Sequence, residues 1–517
     1  MSITDVLIVG AGPTGLALAI WLTKLGVPVR IIDKATTLAT TTRALAVQAR
    51  TLELYSQIGL GETIAARSAQ LTGPNLWVGG SHRARLRFSD VAVGLTAYPF
   101  VAVFPQNEHE RLLIDHLESL GVTVERGTGL ESFVEDTEAG SVKAVLQKSD
   151  GSTENCEAKY IAGCDGAHSV VRRAIDLGFP GDTYEQLFYV ADIEATGPAM
   201  DGELHLCLDT HDFLGIFPLA QKGCARFIGV VSPTSNPSPA STPRDLTFDD
   251  VRGRAVEEMQ LGDIKVNWFT TYRAHHRVAD HFRKGRAFLL GDAAHIHSPA
   301  GGQGLNTGIG DAINLAWKIA AVVNNQAQDS LLDTYEEERI RFARKLVATT
   351  DQAFTFMTRR GWFAGFIRSM VISYIMPVLF RLRAVRRRAF YGLSQFIIDY
   401  TDTTLAGASA PSGTVKAGQR LPWVKIDGQD NHGSLAHIEW QLHVYGTASE
   451  QLAAWCKAND LRLTVFEWAA EYGSAGLVKN AAYLLRPDTY IALIDGKADS
   501  TNIEQYFLKR QIGLGSR

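Results

Sequence analysis

The sequence predicts a mixed α/β (α+β) chain: a βαβ unit on a parallel sheet, an inserted antiparallel sheet, a helical stretch and a separate C-terminal unit. Three observations predict it. Residues 5–9 form an apolar, β-branched run, followed by glycines, a stretch with helical spacing and a second strand at 27–32, which is the order of a βαβ unit. From about 180 to 283, short apolar runs alternate with turns. Finally, 517 residues exceed one compact core, and at ~150 residues per domain the chain divides into roughly three units.

The elements follow in order. The helix at 16–25 is stopped by Gly26, and a helix over 108–120 sets Arg111, Leu112, Ile114 and Leu117 on a helical period. Segments at 122–125, 130–134 and 142–147 alternate, which suggests a small antiparallel sheet, and 160–164 reads as another buried strand. The second unit carries strands at 188–193, 203–208, 215–219 and 225–231, with a Pro/Ser-rich loop at 232–243. An apolar strand at 287–290 and a helix from about 304 to 323 return to the first unit. Residues 330–400 are helical and rich in arginine: Arg359, Arg360, Arg368, Arg381, Arg383, Arg386, Arg387 and Arg388. Beyond 401–418, a linker of Thr, Gly, Ala and Ser, come a strand at 441–445, a helix at 449–458, a strand at 461–466 and a hairpin at 483–494 turning at Pro487-Asp488. The expected boundaries are therefore 1–180 with 284–345, 181–283, 346–400, 401–418 and 419–517, and 76–100 is expected to join the second sheet.

Composition excludes several functions. With 46% hydrophobic and 21% charged residues the chain is an ordinary folded one. Lys+Arg at 51 against Asp+Glu at 55 gives a net charge of −4, so no basic field advertises nucleic acid. Cys156, Cys164, Cys207, Cys224 and Cys456 are scattered without a CxxC, which disfavours a disulfide framework or structural zinc and points to a reducing, cytoplasmic setting. The N-terminus lacks the basic start of a signal peptide, and the most apolar window, 369–380, is shorter than the ~20 residues a bilayer span needs. The arginine-rich helices are expected to pack on the protein body or a homodimer partner, ahead of an anionic membrane.

The chemistry starts at Gly10-Ala-Gly12-Pro13-Thr14-Gly15, which follows a strand and opens a helix. The first glycine permits the turn, the second lets backbone approach a pyrophosphate, and the third lets helix and strand pack closely. Asp33 follows at the end of the second strand, with Lys34 beside it, and would accept hydrogen bonds from an adenosine ribose. This dinucleotide-binding (Rossmann) fingerprint does not by itself distinguish FAD from NAD. His295 and His297 stand two apart in a loop without a carboxylate or thiolate partner in sequence, so they are expected to be structural, and no metal site is expected.

Two further stretches decide between the dinucleotides. Residues 288–308, with Gly291-Asp292, Pro299, Gly301-Gly302 and Gly304-Leu305-Asn306, resemble the second flavin-binding motif of the class A flavin-dependent aromatic hydroxylases, the p-hydroxybenzoate and phenol hydroxylase group. Residues 160–173, with Asp165-Gly166 and Arg172, look like that family's Asp-Gly motif. Arg486-Pro487-Asp488-x-Tyr490 resembles the C-terminal thioredoxin-like domain of the phenol hydroxylase branch, so the match covers nearly the whole chain.

The resemblance implies a Rossmann-like FAD domain, an inserted substrate sheet and a thioredoxin-like third domain. It implies non-covalent FAD, NADPH or NADH as a transient co-substrate, and O₂. The activity implied is hydroxylation of a phenolic substrate through a flavin C4a-hydroperoxide. The alternatives are Baeyer–Villiger insertion or epoxidation on a polycyclic ketone or quinone, or a non-catalytic FAD-binding scaffold. Residue by residue, the resemblance places Arg43 near flavin and pyridine nucleotide, Gln106 on the flavin chain, and Asp165, with Arg172, at both nucleotides. Pro299 falls beside the substrate ring. Arg43 and Pro299 act by positioning, because the flavin carries the chemistry. Asp292 would accept the ribityl hydroxyls, Gly302, Gly304, Leu305 and Asn306 would lie against the ring, and the helix start would face the edge where negative charge collects on reduction. Leu206, Leu208, Phe217, Pro218 and Phe227 are candidates for an apolar pocket lining, with ordinary sheet core as the competing reading.

Overall fold

The computed structural model describes residues 2–38, 44–208, 213–231, 246–252, 255–298, 302–358, 367, 369–410 and 413–514. Its first sheet is built on Ser2–Val9, which pairs in parallel with Thr153–Gly163 on one side and Val29–Asp33 on the other. Ala287–Leu289 joins Thr153–Gly163 in parallel, and Glu125–Arg126 joins Val29–Asp33. The strand Ser2–Val9 is buried from Val6 onward because helices cover both faces of the sheet. The helix Pro13–Lys24 buries every residue from Gly15 to Leu22 and lies against the helix Gly304–Val323. Thr128–Asp136 and Ser141–Lys148 extend the sheet as an antiparallel flap.

The second sheet runs in the order His295–Ile296, Gly262–Val278, Gly181–Thr196, Cys224–Val230, Phe213–Pro218, Leu204–Leu208, Pro74–Val78 and Ser81–Arg85. The last two strands span 74–85 and so overlap only the first part of the 76–100 stretch. Gly262–Val278 escaped the sequence reading although it is the longest strand among the described residues. Only Ala274 along it is buried, so no strict apolar alternation marks it. Tyr189, Ala191, Ile216 and Phe227 face a core closed by Phe248, Val251, Val256 and Met259.

The helix Asp333–Thr358 runs straight through the expected boundary at 345/346, and the short helices Val371–Ile375 and Met376–Leu379 precede the helix Arg383–Leu393. Arg359, Arg360 and Arg368 lie outside the described residues. In the C-terminal unit, Gln441–Tyr445 pairs with Arg462–Phe466 in parallel and with Ala482–Leu485 antiparallel, and Ile491–Asp495 closes the hairpin. Residues 401–418, expected as a linker, are tied to the last strand on either side of 411–412, which lie outside the described residues: Gly407 N donates to Ala492 O and Gly418 N to Ile491 O, both at 2.7 Å. One face of this small sheet packs with Trp317, Ala321 and Leu331 of the first unit, so the two units share a core. Among the described residues no helix is long and apolar enough to cross a membrane.

Candidate active site

Parallel strands of the first sheet end side by side, and each end carries a motif residue. Val9 pairs with Gly163 and with Ile32, and Gly163 pairs with Leu289. Gly10, Asp33, Asp165 and Gly291-Asp292 therefore line one edge. Backbone bonds lock the row: Gly10 N donates to Ile32 O and Cys164 N to Val9 O, both at 2.8 Å, and Leu290 N to Gly163 O at 3.0 Å. Doubly wound sheets bind their ligands in the crevice beyond such carboxyl ends.

The glycines of the first motif divide by cause. Gly10 has a φ of 103°, and a Cβ there would press into the Cys164 carbonyl. A Cβ on Gly15 would overlap the Gly10 carbonyl. At Gly12, by contrast, a Cβ meets nothing within 4 Å. The protein itself needs Gly10 and Gly15; the space at Gly12 is open. An open cradle at a helix N-terminus fits a pyrophosphate held by backbone N–H groups. Pro13 occupies the first turn, where its missing N–H costs nothing. Thr14 interlocks the two glycine motifs: its Oγ1 would lie 2.7 Å from a Cβ on Gly291 and inside one on Gly308.

Both oxygens of Asp33 already accept backbone bonds, from Ala11 N and Ala35 N at 2.8 Å each, which leaves one lone pair apiece for a ribose. Arg126 stands 3.7 Å away, with a buried Nη2 that has no partner among the described residues. The sequence reading missed it. Lys34 is exposed beside them. Gln106 opens the helix Gln106–Ser119 and donates to Glu110 at 2.7 Å, and burial raises the Glu110 carboxyl above its ordinary value.

Asp165 caps the helix Val170–Ala174: its Oδ2 accepts from Val170 N at 2.6 Å and Val171 N at 3.3 Å. Its Oδ1 is buried without a partner among the described residues. Arg172 is a brace. It donates to Ala293 O and Ala167 O at 2.8 Å each, tying the Asp-Gly turn to the Gly291–Ala293 turn. Asp292 is exposed at the tip of that second turn, where Gly291 has a φ of 58°.

Beneath Asp292 sits a group that the sequence reading did not single out. Asp311, in the helix Gly304–Val323, accepts from Gly291 N at 3.0 Å, His295 Nε2 at 2.7 Å and Arg339 Nε at 2.6 Å. Burial alone would raise its pKa, but Arg339 and His295 hold it below the ordinary value. The available signal was a lone carboxylate in an apolar helix, which is buried only when paired. His295 is thus structural, and His297 bonds Ser298 O at 2.8 Å; burial pushes it down to about 4. Among the described residues no group of side chains is arranged to hold a metal.

Asn306 fills all four of its hydrogen-bonding positions within the protein. Its Nδ2 donates to Ala46 O and Gly302 O, and its Oδ1 accepts from Gln48 N and Thr51 Oγ1, at 2.8–3.0 Å. It clamps the turn at Gly302, whose φ is 60°, to the segment 46–51, and Gly304 and Leu305 start the helix beside it. Arg43 and Pro299 lie outside the described residues.

The second sheet splits the pocket candidates. Leu206 pairs with Gly215, Leu208 with Phe213 and Phe217 with Arg226, so Leu206, Leu208 and Phe217 share one face. Phe217 packs against the cluster of Leu45, Leu71, Val101 and Val103. Phe227 and Pro218 are a correction. They point to the opposite face, where Phe227 belongs to the core under Phe248, because strand alternation carries them away. Arg226, also missed, lies on the Phe217 face, grips Asp192 through two bonds of 2.7 Å and reaches Ala44 O at 3.5 Å.

Comparison with known proteins identifies the family. The model of the FAD binding domain family matches residues 3–350. The chain is 32% identical to 6-methylpretetramide 4-monooxygenase of Streptomyces rimosus, over 96% of this chain and 92% of that protein. It is also 32% identical to pentachlorophenol 4-monooxygenase of Sphingobium chlorophenolicum, over 67% of this chain and 63% of that one. Among solved structures, the anhydrotetracycline hydroxylase OxyS from Streptomyces rimosus superposes with a TM-score of 0.78 at 28% identity, covering 99% of this chain and 100% of that one.

Proposed function

We propose a function from one premise: the chain belongs to the FAD binding domain family, and it is an FAD-dependent aromatic hydroxylase that consumes NAD(P)H. The finer reading is that its substrate is a phenolic ring within a fused polycyclic framework. Relatives that match end to end support it, since their names specify a pretetramide and an anhydrotetracycline. The single observation that carries the active-site reading is the row Gly10, Asp33, Asp165 and Asp292 along one sheet edge.

FAD, when bound, supplies the redox chemistry: it takes reducing equivalents from NAD(P)H and activates O₂. The chain's own residues hold and orient. Gly12 and the helix start at Pro13 take the pyrophosphate, Asp33 the ribose, and Asp292 the ribityl chain. Gly302, Gly304 and Leu305 lie against the ring with backbone, while the Asn306 side chain fixes the turn and leaves only main-chain atoms to offer. Gln106 supports the flavin chain, and Asp165 supports both nucleotides. Arg43 and Pro299 complete the site by positioning. Leu206, Leu208 and Phe217 form the dry wall opposite. The thioredoxin-like reading of the C-terminal unit is supported by its mixed four-stranded sheet flanked by Glu450–Ala458 and Ser500–Arg510.

The test is product labelling. A polycyclic phenol should accelerate NAD(P)H consumption, and oxygen-18 from O₂ should appear in the product. Label arriving from water instead would sink the monooxygenase reading.

A further inference from the structure

The turn Arg486–Tyr490 of the C-terminal unit reaches into the first unit, and its contacts lead towards the flavin edge. Arg50, buried, donates from Nη2 to Asp488 O at 3.0 Å and to Thr489 Oγ1 at 2.8 Å. Next to it in the chain, Thr51 donates to Asn306 Oδ1. On its other side Asp488 Oδ2 accepts from Trp317 Nε1 at 3.1 Å and lies 3.5 Å from Asn314 Nδ2, both in the helix whose first turn carries Asn306. One turn therefore touches both the 46–51 segment that Asn306 clamps and the helix that carries Asn306.

The turn is held firmly enough to act on them. Arg486 bonds Asp488 and also Glu338, which accepts in addition from Lys318 at 2.8 Å and Asn314 Nδ2 at 2.6 Å, and Arg486, Asp488, Glu338 and Lys318 are at most 3% exposed. Thr489 sits at a φ of 67°, a left-handed conformation that β-branched residues rarely adopt and that persists only when the surroundings impose it. Between turn and clamp lies a small cavity that Arg50, Thr51, Asn306, Asn314 and Asp488 line together with Leu54, Ile313 and Ile398, so residues of the turn and of the clamp border one space.

We propose that the Arg486–Tyr490 turn is a positioning element for the flavin site: by fixing Arg50 and the helix Gly304–Val323 it sets the Asn306 clamp, so that docking of the C-terminal unit and binding of FAD are one coupled equilibrium. The inference rests on the placement of FAD given above. Coupling between sites is reciprocal, so FAD must also tighten the docked turn.

The test uses the full-length chain stripped of FAD and titrated with FAD by flavin fluorescence. Asp488→Asn should raise the FAD dissociation constant tenfold or more and alter the visible circular dichroism of the bound flavin. Arg50→Lys keeps the charge but cannot span both acceptors, and should raise it threefold or more; it carries the test if Asp488→Asn does not fold. In the wild type, FAD should slow amide exchange across Ala482–Leu485 and Ile491–Asp495, and the variants should lose that protection. A merely structural turn would lower the melting temperature while leaving the dissociation constant within twofold and the flavin spectrum unchanged, which would overturn the proposal. A wild-type chain that takes up no FAD would remove the flavin placement itself, and this inference with it.

Discussion

The glycine-lined edge of the first sheet and the charged seam beneath the C-terminal unit meet opposite demands. At the edge, Gly10, Gly15, Gly291 and Gly302 let backbone and side chains pack closely, and the space at Gly12 is open. At the seam, Lys318, Glu338, Arg486 and Asp488 are at most 3% exposed and bond one another. A site that must admit a ligand is built from backbone whose hydrogen bonds are still available. An interface that must stay closed is built from charges whose bonds are all spent, because an unpaired charge in a dry interior is the costliest group to leave behind.

The largest expected effect breaks the seam. Glu338→Ala leaves Lys318 and Arg486 without their shared carboxylate, and such an uncompensated buried charge costs ~3–5 kcal/mol. Denaturant unfolding would measure it, and a loss under ~1 kcal/mol would mean the seam is wetter than described.

Gly12→Ala sharpens the contrast with its neighbour. Its Cβ meets nothing in the protein, so folding stability should hold, while the pyrophosphate loses its close approach. Two charged hydrogen bonds lost are worth about 3 kcal/mol, roughly a hundredfold in FAD affinity. Gly15→Ala, whose Cβ overlaps the Gly10 carbonyl, should lose stability and FAD together. Equal melting curves for the two variants would erase the distinction between fold glycine and ligand glycine.

Asp292→Ala should weaken FAD binding about tenfold, at ~1.5–3 kcal/mol for a charged hydrogen bond, read by equilibrium titration. An unchanged dissociation constant refutes the role given to this residue.

Acid should open the seam. Burial alone would raise Glu338 and Glu53, but Arg486 with Lys318, and Arg420 with Arg50, bring each to about 2 from an ordinary 4.5. Between those values the unfolded chain binds more protons, so their contribution to stability is full above pH 4.5 and falls as pH drops towards 2. Glu338→Gln should flatten the pH dependence of unfolding in that window. The smallest effect belongs to the surface: Arg386→Ala removes a half-exposed pair with Asp90 and should cost ~0–1 kcal/mol.

The edge was legible because its cause is local. Each glycine of Gly10–Gly15, and the Gly291-Asp292 turn, is needed within a few residues of a strand end, so the order strand, glycines, helix and acid can be read along the chain. The seam was not, because Arg50, Asn314, Glu338 and Asp488 lie up to 438 residues apart and mean nothing singly. Arg486-Pro487-Asp488 was seen as a motif, yet nothing in its own sequence says what it bonds. The pocket wall failed differently. Phe227 and Phe217 are both large, apolar and strand-borne, and only pairing and register send one to the back core and the other to the front.

By itself, then, the sequence determined the βαβ start, the two glycine motifs, the Asp-Gly turn, the inserted sheet and the family's chemistry, all of which depend on neighbours in the chain. The tertiary structure decided that four motif residues share one edge, that Asp311 and Arg339 underpin Asp292, and that Gly407 and Gly418 are pinned to the final strand. It also decided that the C-terminal turn ends one side chain away from the Asn306 clamp. The physical reason is range: hydrogen bonds and steric limits of the backbone act over a few residues and leave a pattern in the chain, whereas burial and charge pairing act between whatever residues the fold brings into contact.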